Sequence, residues 1–486
     1  MRRPALPSRR RTAATVVTAA LVGGACVGFL TVSGASNAPA AHAAAGSSAK
    51  APESHPPVKA LPAEAHGKPA TGGGSPVSVV QIVAHPDDDL FFMNPDVSQS
   101  LRSGSPLTGV YLTAGESDGI NSRPRDRRLV APDKAGYAEA RQNGIRAAYA
   151  EMATGSRTSA WDREAIPTAG GGWAELDTLR DRPQIKLMWL QIREAGSING
   201  DRPHSLHGLW NGRITTLESQ RSSGTPVAAD FAYTKEQVVA TLTGILERFR
   251  PTFVRMQDPS PGTYPKTGAL RDHQDHLYGA RFAQAALARY AELPGHPHVS
   301  VQNYLGYPTS ALPHTLDPAA AETKLRSLKT YSWLDGVHDC EADAGCGDLK
   351  VSVRPTGRGW TKTVRYARGT STSWVQRDPR GGLHAFSVLD GHLATWRKPA
   401  GSLDWKGPEL LPGGGIDSGV TSVTLPGGRT AVYGTRTVLG TTAADYRREV
   451  VTTVQSVPGG AFGPWRSSAP PSGTTPPAPR TSAPLP

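Results

Sequence analysis

Cysteine is scarce in this sequence, with 3 residues in 486, and the three are unevenly placed. Cys26 lies near the start, which leaves Cys340 and Cys346 close together in the second half. Such a pair suits a short-loop disulfide in an oxidising environment, whereas two thiols are too few for a zinc site of their own. The sequence therefore predicts one local disulfide.

Long apolar runs are also rare, and only the stretch from about Ala13 to Val32 could cross a membrane. Basic residues precede it, and Ala41-His42-Ala43 follows with the small-x-small pattern that signal peptidase cleaves. Residues 1–43 are thus predicted to be a secretory signal, with a single membrane anchor as the alternative. The expected location is extracellular, without membrane association after cleavage.

The sequence has no runs of lysine or arginine interleaved with aromatic residues, so nucleic-acid binding is not supported. Its net charge is +12, but five arginines and no acidic residue lie within 1–43, so the remainder carries +7. This mild basicity leaves affinity for anionic cell walls or polysaccharides open.

Composition divides the rest of the chain into four parts. Residues 44–76 are rich in Ala, Pro, Gly and Ser and are predicted to be a flexible linker, and 468–486 a disordered Pro/Ser/Thr-rich tail. Between them, 77–350 reads as an α/β domain and 351–467 as an all-β domain.

In the α/β domain, short apolar runs alternate with helical periodicities, which predicts a mostly parallel sheet covered by helices on both faces. The ligand site of such a sheet lies beyond the carboxyl ends of its strands. The predicted strands are 77–83, 107–113, 185–192, 252–256 and 299–305, and the predicted helices are 137–152, 234–250, 276–290 and 317–332.

The all-β domain has short alternating runs, many glycine turns and recurring tryptophan, which favour a sandwich or a few propeller-like blades. Its tryptophans are expected mainly in the core, while any exposed ones would stack on sugar faces. They are Trp360, Trp374, Trp396, Trp405 and Trp465.

Two polar segments follow predicted strands of the α/β domain. His85-Pro86-Asp87-Asp88 comes directly after strand 77–83, and residues 272–276 (D-H-Q-D-H) follow strand 252–256 through a loop. Because both lie at strand exits, one crevice could collect both. Each is weak alone, since either also suits a polar turn or a solvated helix start.

Histidine and aspartate at these positions match the donors of catalytic zinc, which uses three protein ligands and leaves a fourth position to water. His85, Asp88 and His276 would suffice as ligands. The carboxylate of Asp87 and the imidazole of His273 would then be free for proton transfer.

The motif A-H-P-D-D-D after an apolar strand, with D-H-Q-D-H opening a later helix, resembles the PIG-L/LmbE-like family of zinc-dependent de-N-acetylases. That family's marks are A-H-P-D-D-E and H-P-D-H. The resemblance extends through Leu112–Glu116 (L-T-A-G-E), the segment from Arg141 and I-K-L-M-W-L, and covers roughly residues 77–335. It implies a Rossmann-like fold and removal of acetyl groups from N-acetylglucosamine-type substrates.

The resemblance also implies a role for each matching residue. Asp87 becomes the general base, His273 the oxyanion or leaving-group partner, and Asp275 the carboxylate that orients His273. The implied Zn2+ ligands are His85, Asp88 and His276.

The sequence departs from the family at several positions. Asp89 replaces the usual Glu, which shortens its reach, and we expect it to support the turn from outside. Gln274 replaces Pro in the second motif. Arg141 is a candidate sugar contact, and Tyr264 could replace a missing family tyrosine or be a plain surface residue.

These features favour a secreted zinc-dependent deacetylase acting on an amino sugar or glycoconjugate, with the β domain for polysaccharide or cell-wall binding. The rival hypothesis is a carbohydrate-binding protein whose α/β domain has lost catalysis, although the retained ligands and Asp87 argue against that loss. A zinc hydrolase of another amide, such as an antibiotic or peptide, is the third reading.

Overall fold

The computed structural model describes residues 77–123, 126–196, 200, 202–334, 340, 342–351, 362–366, 373–440 and 442–467. The predicted signal at 1–43, the linker up to residue 76 and the tail from 468 lie outside this range, as does Trp360. Among the described residues, no helix has the length and apolar character needed to cross a membrane.

The first unit is built from strands that alternate with helices. Its strands are β1 (Val79–Val83), β2 (Leu107–Thr113), β3 (Trp161–Pro167), β4 (Trp173–Leu179), β5 (Ile185–Ile192), β6 (Leu217–Glu218), β7 (Ala232–Tyr233), β8 (Phe253–Gln257), β9 (Ser300–Tyr304) and β10 (Arg365–Tyr366). Its helices are α1 (Asp88–Phe92), α2 (Asp96–Ser103), α3 (Lys134–Thr154), α4 (Leu206–Trp210), α5 (Lys235–Phe249), α6 (Gln274–Ala291) and α7 (Pro318–Tyr331).

Eight of these strands form one mixed sheet in the order β10-β9-β8-β1-β2-β5-β4-β3. The five consecutive strands from β9 to β5 are parallel, while β10, β4 and β3 each pair antiparallel with a neighbour. Buried apolar clusters cover both faces of the sheet. The predicted α/β class is confirmed, and the sheet takes its edge strand β10 from beyond residue 350.

The predicted helices form where the sequence supplies caps. Thr234 and Gln237 form a reciprocal capping box at the start of α5, and Asp317 accepts a hydrogen bond from a backbone N–H at the start of α7. Helix α3 ends at Gly155, which adopts a left-handed φ of 86°. These local signals fix the helix ends to within a few residues of the predicted bounds.

The β3–β4 hairpin is the main element that the sequence does not predict. Its second strand reads W-A-E-L-D-T-L, and both Glu175 and Asp177 are fully buried. Acidic residues are seldom buried without a partner, so this pattern does not read as a core strand. The partners come from elsewhere in the chain.

Two arginines pair with these buried charges and tie the hairpin to α3. Arg146 on α3 lies 2.7 Å from Asp177, 2.8 Å from Glu175 and 3.0 Å from Glu139. Arg163 on β3 lies 2.6 Å from Glu175 and 2.9 Å from Glu139. Loss of one partner from such a buried network leaves a charge uncompensated, which is strongly destabilising.

The second unit is all-β, as predicted. Its strands are β11 (Val375–Arg377), β12 (Leu383–Leu389), β13 (His392–Lys398), β14 (Lys406–Leu410), β15 (Ile416–Thr424), β16 (Thr430–Val438), β17 (Arg447–Val454) and β18 (Arg466–Ser467). They form two four-stranded antiparallel sheets, β11 to β14 and β15 to β18, which share one apolar core.

Direct hydrogen bonds join the two units along the β9 side of the large sheet. The Asp390 carboxylate accepts the backbone N–H of Val299 at 2.8 Å and lies 2.5 Å from the His298 ring. The Ser418 hydroxyl donates to the Asn303 side chain at 3.1 Å. These contacts fix the β unit against the strand that neighbours β8.

The Glu139 network predicts a pH-dependent stability. Burial tends to raise the pKa of Glu139, but Arg146 and Arg163 lower it to about 2. Because the folded pKa lies below the ordinary value, the ionised carboxylate stabilises the fold above about pH 4.5, and this stabilisation is lost as the pH falls toward 2. We expect Glu139→Gln to reduce the unfolding free energy by about 2–3 kcal/mol near pH 7, and by about half as much near pH 3.

Denaturant unfolding of both proteins at the two pH values measures this difference. Glu247→Gln is the matched control, because Glu247 lies exposed on α5, and we expect it to have no effect at either pH. If Glu139→Gln lowered the unfolding free energy by the same amount at both pH values, the lowered pKa assigned to Glu139 would be contradicted.

Candidate metal centre

The first motif lies where the fully buried strand β1 ends. After Val83 the chain turns through His85 and Pro86, and Asp88 begins the short helix α1. One oxygen of the Asp88 carboxylate accepts the backbone N–H of His85 at 2.7 Å. This hydrogen bond closes the turn, so Asp87 and Asp88 stand together at the carboxyl edge of the sheet.

The second motif begins α6, after the loop that follows β8. His273 is the N-cap residue, and its Nδ1 accepts the backbone N–H of Asp275 at 3.1 Å. Because a backbone N–H can only donate, Nδ1 is the acceptor, and a neutral His273 carries its proton on Nε2. His276 follows in the first helical turn, where its ring faces the exit of β1.

These two motifs meet in one buried cluster. His276 Nε2 lies 3.0 Å from the Asp88 carboxylate and 3.2 Å from His85 Nδ1, and His85 Nδ1 lies 3.3 Å from Asp88. The donor atoms of His85, His273 and His276 all lie within 4.8 Å of one another. The two strand exits therefore bring the two motifs together, as expected.

The electrostatics of the cluster favour a cation. Burial alone would raise the pKa of Asp88, but the rings of His276 and His85 hold it well below its usual range. Burial lowers the pKa of His276, yet Asp88 and Asp272 raise it to about 9. An ionised carboxylate thus persists in a buried site because positive charge lies beside it.

Atoms in the cluster also lack partners that a metal ion would supply. Nε2 of His85 is buried and makes no hydrogen bond, although the Asp275 carboxylate lies 3.4 Å away, and one carboxylate oxygen of Asp275 also makes none. His276 Nδ1 pairs with Asp272 at 2.7 Å, which turns Nε2 toward Asp88. A carboxylate behind a ligating imidazole is a recurrent feature of metal sites, so the donor set fits a divalent metal.

Arg141 contacts Asp87 beside the cluster. Its NH2 lies 2.9 Å from the Asp87 carboxylate, NH1 donates to the Gly115 carbonyl at 2.7 Å, and Nε donates to the Tyr331 hydroxyl at 2.9 Å. Burial raises the pKa of Asp87 to about 7, although the guanidinium opposes the rise. The structure therefore uses Arg141, expected to contact a sugar, to hold Asp87.

Gly115 is required at this contact. Its φ is 68°, and a Cβ there would lie 2.6 Å from Pro86 and 2.7 Å from the Arg141 guanidinium. The glycine of the L-T-A-G-E segment thus lets the chain after β2 pass close to the turn after β1.

Asp275 lies near both His273 and His85. Its carboxylate lies 3.8 Å from His273 Nδ1 but 3.4 Å from His85 Nε2, and it accepts the backbone N–H of Ala195 at 2.7 Å. The backbone N–H bond to Nδ1, rather than this carboxylate, fixes the His273 ring.

Tyr264 is the other predicted substrate contact. It lies in the loop before α6, 40% exposed, with the Arg271 guanidinium 5.6 Å from its ring centre. Among the described contacts, none joins it to the histidine cluster.

Four carboxylates near the cluster are not predicted as site residues. Asp272 pairs with His276, while Glu194 lies 4.0 Å from His85 and 3.8 Å from Arg141. Glu116 accepts the backbone N–H of Glu194, and burial together with Glu194 raises the pKa of Glu116 to about 8. Glu116 and Glu194 follow β2 and β5, so the rule that sites lie at carboxyl strand ends could have identified them.

The fourth carboxylate, Asp348, comes from a loop that no motif marks. The predicted Cys340–Cys346 disulfide is present just before it, and Gly347 donates its N–H to the Ala140 carbonyl at 2.7 Å. Asp348 thereby lies 3.5 Å from Arg141 Nε, on the arginine that holds Asp87.

Asp89 lies inside the fold, fully buried, rather than outside the turn as expected. One oxygen accepts hydrogen bonds from the hydroxyls of Tyr111, at 2.8 Å, and Tyr149, and from the Gln81 amide at 2.9 Å. The other accepts the Leu90 N–H at 2.9 Å. Burial raises the pKa of Asp89 to about 6, although the tyrosine hydrogen bonds oppose this. The two tyrosines occupy the space that a glutamate would need.

This packing predicts the effect of restoring the family's residue. We expect Asp89→Glu to lower the unfolding free energy by about 1–3 kcal/mol, because an added methylene overpacks a filled site. Denaturant unfolding measures the loss, and adding Tyr149→Phe, which removes one hydroxyl from the site, should recover part of it. An Asp89→Glu protein as stable as the parent would show that the site has room for a glutamate, which would refute this explanation of why aspartate is present.

Residues 80–287 match the family model described as PIG-L, GlcNAc-PI de-N-acetylase. No curated protein matches the chain.

Several solved structures are similar to part of this chain at low identity. The N,N'-diacetylchitobiose deacetylase from Pyrococcus horikoshii is 16% identical, over 52% of this chain and 69% of that chain, with a TM-score of 0.29. The zinc-inhibited form of the teicoplanin deacetylase Orf2 is 14% identical, over 53% and 86%, with a TM-score of 0.29. GalB, the 4-carboxy-2-hydroxymuconate hydratase from Pseudomonas putida KT2440, is 16% identical, over 53% and 80%, also at 0.29.

Sequence identities and TM-scores this low do not indicate the activity of this chain. The names of the three proteins also state different reactions. The family match is independent of them, and it spans both motifs of the histidine cluster. Residues 80–287 of this chain therefore belong to the PIG-L de-N-acetylase family.

Proposed function

We propose that the chain is a secreted zinc-dependent hydrolase that removes N-acetyl groups from N-acetylglucosamine-type sugars or glycoconjugates. The observation that carries the proposal is the meeting of His85, Asp88 and His276 at distances of 3.0–3.3 Å, with Asp87 beside them. The description of the matching family supports the sugar substrate.

We assign the zinc ion to His85, Asp88 and His276. Two imidazoles and one carboxylate are donors that catalytic zinc takes, and Nδ1 of His85 lies within 3.3 Å of both the Asp88 carboxylate and Nε2 of His276. When bound, zinc would supply a Lewis acid that lowers the pKa of water toward about 7 and polarises the amide carbonyl. His273 is the competing ligand, but its Nδ1 is already engaged with a backbone N–H.

Asp87 is suited to take the proton of the attacking water. Its carboxylate is buried, with a pKa raised to about 7, so it is partly ionised at neutral pH and can both accept and return a proton. Arg141 contacts one of its oxygens at 2.9 Å and fixes its orientation. The returned proton is needed by the departing amine, because an amide nitrogen is otherwise a poor leaving group.

His273 is suited to stabilise the oxyanion as a neutral donor. Burial and the neighbouring rings of His85 and His276 hold its pKa well below the ordinary value. With Nδ1 accepting from the Asp275 backbone, Nε2–H is the group left to donate. We therefore assign to His273 the oxyanion role that the resemblance implies, with a neutral ring as the donor.

Secretion and a role for the β unit complete the proposal. The predicted signal at residues 1–43 supports export, and the mild net positive charge of the remainder suits an anionic or polymeric surface. We assign polysaccharide binding to the all-β unit, which would hold the chain on its substrate.

The direct test is amine release from N-acetylglucosamine oligomers by the zinc-loaded chain. We expect Asp87→Asn to reduce kcat/KM by at least about 100-fold, since general-base catalysis contributes that much or more. Asp181→Asn is the matched control, because Asp181 is exposed on the turn between β4 and β5, and it should match the parent.

Unfolding midpoints and zinc content of each variant show whether the loss is chemical rather than structural. Parent and Asp87→Asn proteins that are equally inert on every acetylated sugar, with zinc bound, would favour the carbohydrate-binding alternative. Equal activity in both would remove Asp87 from the mechanism.

A further inference from the structure

An aromatic groove lies in the β unit, remote in sequence from the histidine cluster. It has a volume of about 560 Å³, and three tryptophans line it: Trp374, Trp396 and Trp405. Trp374 is 56% exposed and Trp405 is 43% exposed. Grouped exposed indoles are unusual on a soluble surface and mark a binding site more often than a core.

The sheet register builds this groove. Ala385 on β12 pairs directly with Trp396 on β13, so both project from the same face. Phe386 and Val388 point the opposite way, into the core shared by the two sheets. Small side chains therefore floor the groove where large ones would fill it, and the indoles stand above them.

Neighbouring backbone positions the main chain of Trp374 and the indole of Trp396. The Phe386 N–H donates to the Trp374 carbonyl at 2.8 Å, which holds the residue before β11. At Gly407 a Cβ would lie 2.9 Å from the Trp396 indole, and the φ of 135° is itself unfavourable for other residues. The glycine lets β14 pass against Trp396, so the groove is pre-formed.

Trp465 shows that the tryptophans of this unit divide into two kinds. It packs against the shared core, as expected for this unit, whereas the three groove indoles do not belong to that core. Packing in the shared core therefore accounts for Trp465 but not for the exposed indoles of Trp374 and Trp405.

The side chains that line the groove indicate the class of ligand it would bind. None of the described lining residues is ionisable, and the polar groups offered are the hydroxyls of Ser387 and Ser418. A pyranose ring has an apolar C–H face that suits an indole and edge hydroxyls that suit serine. A deacetylated, cationic sugar would find no carboxylate there, whereas a neutral N-acetylated sugar would leave no charge unpaired.

We propose that this groove binds a neutral, N-acetylated sugar polymer, and so holds the substrate in preference to the deacetylated product, whose free amine is cationic. The substrate class rests on the proposed function, but the binding itself does not depend on catalysis. The Ser418 hydroxyl of the β unit donates a hydrogen bond to Asn303 of the α/β unit. A polymer in the groove is therefore held on a unit that is attached to the α/β unit, which carries the histidine cluster.

The test is co-sedimentation of the full chain with chitin, chitosan and cellulose at an ionic strength that screens its net charge, with the affinity for soluble N-acetylglucosamine oligomers measured by calorimetry. We expect binding to chitin and little to chitosan. Trp374→Ala and Trp405→Ala should each weaken it by about 10-fold, without changing the unfolding midpoint or the turnover of a short soluble substrate.

Trp173→Ala is the matched control, because Trp173 is equally exposed at 43% but lies on β4 of the other unit. It should bind chitin like the parent. Groove variants that bind like the parent, equal retention on chitosan, or self-association without sugar binding would each overturn the proposal. If the groove variants lose chitin binding and no protein, the parent included, turns over substrate, the proposed function is refuted while the proposal of sugar binding in the groove stands.

Discussion

Three adjacent carboxylates at the end of β1 set the conditions that the rest of the site must meet. Asp87, Asp88 and Asp89 are all buried, and three neighbouring negative charges could not persist there unaided. Each is stabilised by a different partner. Arg141 contacts Asp87, the rings of His85 and His276 contact Asp88, and hydroxyls and an amide surround Asp89.

The parallel sheet brings these partners together. Strands β8, β1, β2 and β5 are neighbours, so the segments that follow them meet at one edge. His276 arrives after β8, Gly115 and Glu116 after β2, and Glu194 after β5. Helix α3 crosses behind with Arg141, and the disulfide loop adds Asp348 from beyond the family domain. The site is thus a property of the sheet edge rather than of either motif.

Sequence reasoning succeeded where one local signal determines the outcome. Apolar runs located β2 and β5, Thr234 located the start of α5, and the spacing of His85, Asp88 and His276 predicted residues that do meet. It failed where a distant partner decides. The β3–β4 hairpin was hidden because its buried acids pair with arginines elsewhere, and Asp89 was misplaced because the tyrosines that receive it come from β2 and α3.

We propose that Asp88, and not His273, completes a three-residue metal site with His85 and His276. Zinc content of purified Asp88→Ala, His273→Ala and parent proteins, equilibrated with zinc and then dialysed, tests it most directly. We expect about one zinc per chain in the parent, near-complete loss in Asp88→Ala, and retention in His273→Ala. Zinc retained by Asp88→Ala and lost by His273→Ala would contradict it and assign the ion to the three histidines.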